Sequence, residues 1–157
     1  MRLLFLCTHN ACRSILCEVI TRNHAVDRIE VASAGSQPSG RVHPLSLRFL
    51  ASRAYPVADL RSKGIEDLTG FAPDAVITVC DDAANEACPA WLGAAAKAHW
   101  GLPDPSRHKG SDEEIDAAFR QVARTIAIRI DALLQEEFEG AQTAELTEQL
   151  SRVGALN

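Results

Sequence analysis

The sequence lacks a surplus of basic charge: 16 Lys and Arg stand against 21 Asp and Glu, a net of −5. With no basic patch along the chain, a nucleic-acid partner is not expected. It also lacks a membrane-length apolar run. The opening MRLLFLC offers a few apolar residues before a polar loop, too short for a signal-peptide core or a membrane span, so a cytoplasmic protein without membrane association is expected. There is no internal repeat and no low-complexity segment. His24, His43, His99 and His108 show no i, i+4 pairing of the kind that holds a metal, and read as surface or capping residues.

What is present is the material of one ordinary domain. At 157 residues the chain can bury a sizeable core without cross-links. Its five cysteines, Cys7, Cys12, Cys17, Cys80 and Cys88, are an odd count in a compartment that keeps thiols reduced, so any disulfide points to transient chemistry. Apolar runs bounded by turn signals predict strands at 2–7, 28–33, 75–80 and 97–100. Helical patterns fall between them at 11–25 and 43–54. A third begins at Ser111, where Ser111 and Glu114 match a capping box, and its apolar stripe predicts a helix ending near Gly140. Alternating strands and helices predict an α/β fold: a single-domain open parallel sheet of about four strands with helices on both faces. The domain is expected over residues 1–140, with a short helical or frayed tail over 141–157.

The stretch CTHNACRS carries the chemistry. Cys7 ends the first strand, and Arg13-Ser14 opens the following helix, so the backbone N–H groups of the intervening turn face a concavity at a helix N-terminus. A thiol at its floor with Arg13 opposite favours the thiolate, and the same cradle suits a tetrahedral oxyanion. The oxyanion-binding loop is Thr8, His9, Asn10, Ala11, Cys12, Arg13 and Ser14.

Cys-x5-Arg-Ser between a first strand and a helix, with SAG at 33–35 and Asp104-Pro105, resembles the low-molecular-weight protein tyrosine phosphatases and the arsenate reductases built on that fold. The resemblance covers roughly residues 1–138. It implies that Cys7 attacks the substrate, that Arg13 holds its oxygens and that Asp104 protonates the leaving group. It further implies that Asn10 and Ser14, with Ser33, support the loop. Taken without the family, Asp104 in LPDP is equally a turn residue.

A phosphatase needs one cysteine, and this chain offers a further pair. Cys80 ends DAVITVC as Cys7 ends RLLFLC, and neighbouring parallel strands are spaced about 4.8 Å, so both thiols would emerge at one sheet edge. The segment DDAANEA between Cys80 and Cys88 is small and polar and reads as a mobile element. VITVCDDAANEACP, AHWGLPDPS and AAFRQVARTIAIRI resemble the thioredoxin-coupled arsenate reductases closely. That resemblance implies a relay: Cys7 binds arsenate, Cys80 attacks Cys7 as arsenite leaves, Cys88 attacks Cys80, and an external reductant restores the thiols. Thioredoxin and a glutaredoxin/glutathione system are both possible reductants, because seven residues separate Cys80 from Cys88, one more than in the best-known members.

Other departures bear on the site. His9 stands where many of these phosphatases have Gly, which would carry a backbone penalty if that position needs an unusual angle. Some members bind potassium near the loop through Asn, Glu, Ser and Asp. Asn10, Glu18 and Ser33 match, but Lys63 in LRSKG stands where the Asp would align, and its ammonium can take the cation's place, so neither metal nor other cofactor is expected. Ser106-Arg107-His108 follow Asp104-Pro105 where the phosphatases place aromatic rings, and Tyr55 is the only tyrosine, so the pocket looks suited to a small oxyanion. Cys12 and Cys17 read as packing residues rather than zinc ligands, because C-x4-C-x4-C lacks paired knuckle spacing. The alternatives are a low-molecular-weight protein tyrosine phosphatase acting on phosphate monoesters, and a non-enzymatic oxyanion-binding or redox-sensing module.

Overall fold

The computed structural model describes residues 1–85 and 92–157; Cys88, the third thiol of the expected relay, lies outside the described residues. Four strands, β1 (Arg2–Cys7), β2 (Glu30–Gly35), β3 (Ala75–Thr78) and β4 (Ala96–His99), form one parallel sheet in the order β2-β1-β3-β4. β1 is central because RLLFLC is apolar on both sides: Leu3, Leu4 and Phe5 have no exposed surface. Side chains alternate across the sheet, so Leu3 and Phe5 enter one core and Leu4 and Leu6 the other.

The two faces are covered unequally. The larger core receives α1 (Arg13–His24), α2 (Pro44–Ser52), α4 (Asp112–Leu133) and α5 (Thr143–Gly154). The smaller is closed by Leu92 and by the 3-10 turn Ile65–Leu68 with Phe71. One further turn of helix, α3 (Asp81–Ala84), follows β3.

α4 starts where its sequence says. Ser111 Oγ accepts from the Glu114 N–H at 3.3 Å, and the Ser111 N–H donates to Glu114 Oε2 at 2.7 Å. It stops at Leu133 rather than near Gly140: the next bonds tighten, Gln135 N–H to the Ala132 carbonyl and Glu136 N–H to the Leu133 carbonyl, and the freed Leu134 carbonyl is taken by the Arg28 guanidinium, which also lies over the Phe138 ring. The later strands also differ in their bounds: β2 runs on to Gly35, and β3 ends at Thr78, leaving Cys80 at the start of α3. α5 packs against β4 through Trp100, which is fully buried and donates its indole N–H to the Leu150 carbonyl at 2.8 Å. No helix among the described residues is long and apolar enough to cross a membrane.

Candidate active site

The loop from Thr8 to Cys12 leaves β1 at the centre of the sheet and enters α1 at Arg13. Its shape depends on Asn10, which is fully buried with φ of 46°. The left-handed angle therefore falls on Asn10, a residue that tolerates it, and not on His9, which sits exposed at the rim; the penalty foreseen for His9 does not arise. The Asn10 amide donates to Ser14 Oγ at 2.8 Å and to Ser33 Oγ at 2.9 Å, while its carbonyl accepts from the Lys63 N–H at 2.8 Å. One side chain thus ties the loop to α1, β2 and the Lys63 segment.

That bonding fixes the direction of the next hydrogen bond. Since Ser14 Oγ accepts from Asn10, its own proton is free for Cys7 Sγ, 2.9 Å away. The Asn10 N–H also points at the sulfur, at 3.1 Å. Two donors therefore converge on Cys7, which is 5% exposed at the floor of a 490 Å³ cavity. Gly35 makes room for this turn, because a Cβ there would lie 2.6 Å from the Thr8 carbonyl oxygen.

Arg13 closes one side. Its Nη1 donates to the Leu102 carbonyl at 3.2 Å, and Nη2 lies 3.6 Å from Asp104 Oδ2. Asp104 caps the 3-10 turn Pro105–Arg107: its Oδ1 accepts from the Ser106 N–H at 3.0 Å and from Ser106 Oγ at 2.6 Å. Its other oxygen faces Arg13 and Arg107, each 3.6 Å away. Asp104 is thus a turn residue and a cavity residue at once. Arg41 adds a further positive charge at the rim, where His43 also lies with its Nδ1 accepting from the Leu45 N–H, and no Phe, Tyr or Trp among the described residues lines the cavity.

β1 and β3 are neighbours, with Leu6 opposite Thr78, so Cys80 emerges beside the loop. Its thiol is 2% exposed, and Sγ lies 3.6 Å from Thr8 Oγ1. Cys12 and Cys17 are buried packing residues. Burial pushes the Cys12 thiol up to about 12, against a smaller lowering by the Ser46 hydroxyl, and burial likewise holds the Cys17 thiol well above the ordinary range.

Behind the loop, Ser33 donates to Glu18, and the same carboxylate carries Arg22 and, at 3.2 Å, the Lys63 ammonium. A carboxylate already engaged by two cations and a hydroxyl does not suit a further bound cation. Sequence reasoning missed three partners: Ser106 holding Asp104, the Leu102 carbonyl holding Arg13, and Thr8 touching Cys80. Only the first had a local signal, an Asp two residues before a Ser, the pattern of a side-chain-capped turn.

Residues 2–150 match the low molecular weight phosphotyrosine protein phosphatase family. The chain belongs to that family. The phosphatase-family match extends past the loop, sheet and α4 and into α5. Among relatives of this phosphatase family, an arsenate reductase of Halalkalibacterium halodurans is 35% identical over 126 residues, covering 80% of this chain and 89% of the relative. Among solved structures, an arsenate reductase in the phosphate binding state superposes with a TM-score of 0.68 at 26% identity, covering 85% of this chain and 95% of that one. The thioredoxin-dependent arsenate reductase of Corynebacterium glutamicum superposes with a TM-score of 0.55 at 32% identity, over 80% of this chain and 61% of that one.

Proposed function

We propose that this member of the phosphatase family is an arsenate reductase whose catalytic thiols are Cys7, Cys80 and Cys88. The observation that carries the reading is a second buried thiol, Cys80, which follows the strand next to β1 and lies 3.6 Å from the hydroxyl of Thr8, the residue after Cys7, beside an oxyanion cradle. A phosphatase has no use for the second.

In the proposed reaction Cys7 attacks arsenic(V), and one arsenate oxygen leaves as water after taking up protons, with Asp104 as the nearest acid. Arg13 and the N–H groups of residues 8–14 hold the remaining oxygens. Cys80 then attacks the Cys7 sulfur, and the S–As bond breaks with its electron pair passing to arsenic. Arsenite, now arsenic(III), departs, and a Cys7–Cys80 disulfide remains. Cys88 attacks Cys80 and releases Cys7, and an external dithiol reduces the Cys80–Cys88 disulfide. A thioredoxin-type protein is favoured as that dithiol by the Corynebacterium glutamicum relative. The thiols must start reduced, which fits a cytoplasmic setting.

Arsenate and phosphate share shape and charge, so the cradle alone does not select between them; selection follows from the S–As bond, which a thiol can resolve. Slow hydrolysis of small aryl phosphates is therefore expected as a side activity. The deciding experiment measures arsenate-dependent NADPH oxidation in parallel with a thioredoxin and a glutaredoxin system. Cys80→Ser should abolish turnover in both while retaining any hydrolysis of p-nitrophenyl phosphate. Undiminished arsenate turnover by Cys80→Ser, or no turnover by the unaltered protein, would defeat the reading in favour of the phosphatase.

A further inference from the structure

We propose that His99 is a positioning residue for Cys80, its imidazole tying the first residue of α3 to the end of β3 and so holding the Cys80 thiol in its buried place against Thr8. This rests on the reading of Cys80 as the thiol that resolves Cys7.

Thr78 and His99 are register partners on adjacent strands, so their side chains leave the same face at the carboxyl ends of β3 and β4. His99 Nδ1 lies 2.9 Å from Thr78 Oγ1, and Nε2 lies 3.2 Å from Asp81 Oδ1. A carboxylate only accepts, so Nε2 carries the proton, and Nδ1 of the neutral ring accepts from the Thr78 hydroxyl. The protonated ring donates at both positions, so the connection survives either state. The backbone at Gly101 walls the ring closely: a Cβ there would lie 3.1 Å from Nε2.

The connection matters because of where Asp81 sits. It is the first residue of a helix of four residues, immediately after Cys80, and that helix has no side-chain N-cap hydrogen bond. Ala83 is buried in the core and holds the far side of the turn, but the Asp81 side chain is 91% exposed, so packing does little to hold the turn's first residue, and the imidazole ties that residue to β4. Asn85 bonds to the Asp81 carbonyl at 2.8 Å, stiffening the turn itself without attaching it to the sheet. With the anchor in place Cys80 is 2% exposed and faces the loop; without it the turn can swing away, exposing the thiol and withdrawing it from Cys7. A largely exposed imidazole–carboxylate pair is worth up to about a five-fold change in such an equilibrium.

The test follows each thiol of the reduced full chain by peptide-mapped alkylation with iodoacetamide, alongside arsenate kinetics with saturating thioredoxin. In His99→Ala, Cys80 should label about two- to five-fold faster, while Cys7 is unchanged and Cys17 remains protected, which also reports that the fold is intact. Arsenate kcat and KM should stay within about two-fold, because such a shift of a minor open state leaves most molecules closed. His99→Gln, which restores a donor towards Asp81, should recover most of the labelling effect. Asp81→Ala, an alteration at an exposed position, should reproduce the faster Cys80 labelling. Unchanged Cys80 labelling in both His99→Ala and Asp81→Ala overturns the proposal, as does a Cys7 labelling rate that rises in step. If the unaltered protein reduces no arsenate, the functional reading fails by itself, and the labelling rates still decide whether His99 holds Cys80.

Discussion

Asn10 shows how much of a site can hang on one small side chain. It supplies the left-handed angle of the loop, two amide donors and an acceptor for the Lys63 backbone, all without contact with solvent. Asn10→Ala should cost about 2–4 kcal/mol by urea denaturation, since it strands buried partners and strains the backbone. Asn10→Gly relieves only the strain, so it should recover about 1 kcal/mol of that loss and little of the activity. A denaturation midpoint for Asn10→Gly equal to the unaltered protein's would show that the amide bonds contribute nothing. The importance of Asn10, and a Lys63 ammonium near Glu18 and Ser33, were legible in the sequence because CTHNACRS resembles a known loop, but the bond from the Lys63 backbone N–H to Asn10 was not. That bond comes from a distant part of the chain and leaves no mark on local spacing.

At the scale of the element, local rules predicted starts better than ends. The capping box at Ser111 is a contact between near neighbours, and it forms as its sequence requires. The end of α4 is capped by Arg28, more than a hundred residues away, which takes the Leu134 carbonyl, and periodicity carries no trace of that. α5 depends on a similarly remote fit. A Cβ on Gly154 would meet the Trp100 ring at 2.3 Å, so the helix can approach β4 only because that position is glycine. Gly154→Ala is therefore expected to destabilise the protein by about 1–3 kcal/mol, although alanine is ordinarily the better helix former. Trp100 fluorescence reports the change directly: a red shift in the native state is expected as α5 is pushed away. A stability gain with an unshifted spectrum would mean that the helix accommodates the methyl group.

Across the whole molecule, the buried thiols couple folding to pH. Cys12 titrates near 12 in the folded protein and Cys17 well above the ordinary range, whereas both return to about 8.5–9 when the chain unfolds. The raised folded values mean that the unfolded state loses protons first. Stability is fully present below about pH 8.5 and falls as pH rises towards 12, by roughly 1.4 kcal/mol per pH unit for each thiol. Denaturation midpoints measured from pH 7 to 11 should follow that decline, and Cys17→Ala should flatten it; a slope unaltered by that substitution would place the sensitivity elsewhere. The sequence by itself determined the parallel sheet, the Cys7 loop and the family, because alternating apolar runs and a contiguous nucleophile loop are written in neighbouring residues. Only the tertiary structure decided that the Leu102 carbonyl holds Arg13, that the Lys63 N–H meets the Asn10 side-chain carbonyl, and that Thr8 and His99 surround the Cys80 turn. Those contacts join segments that are far apart in the chain and are brought together only by the order in which the strands pair.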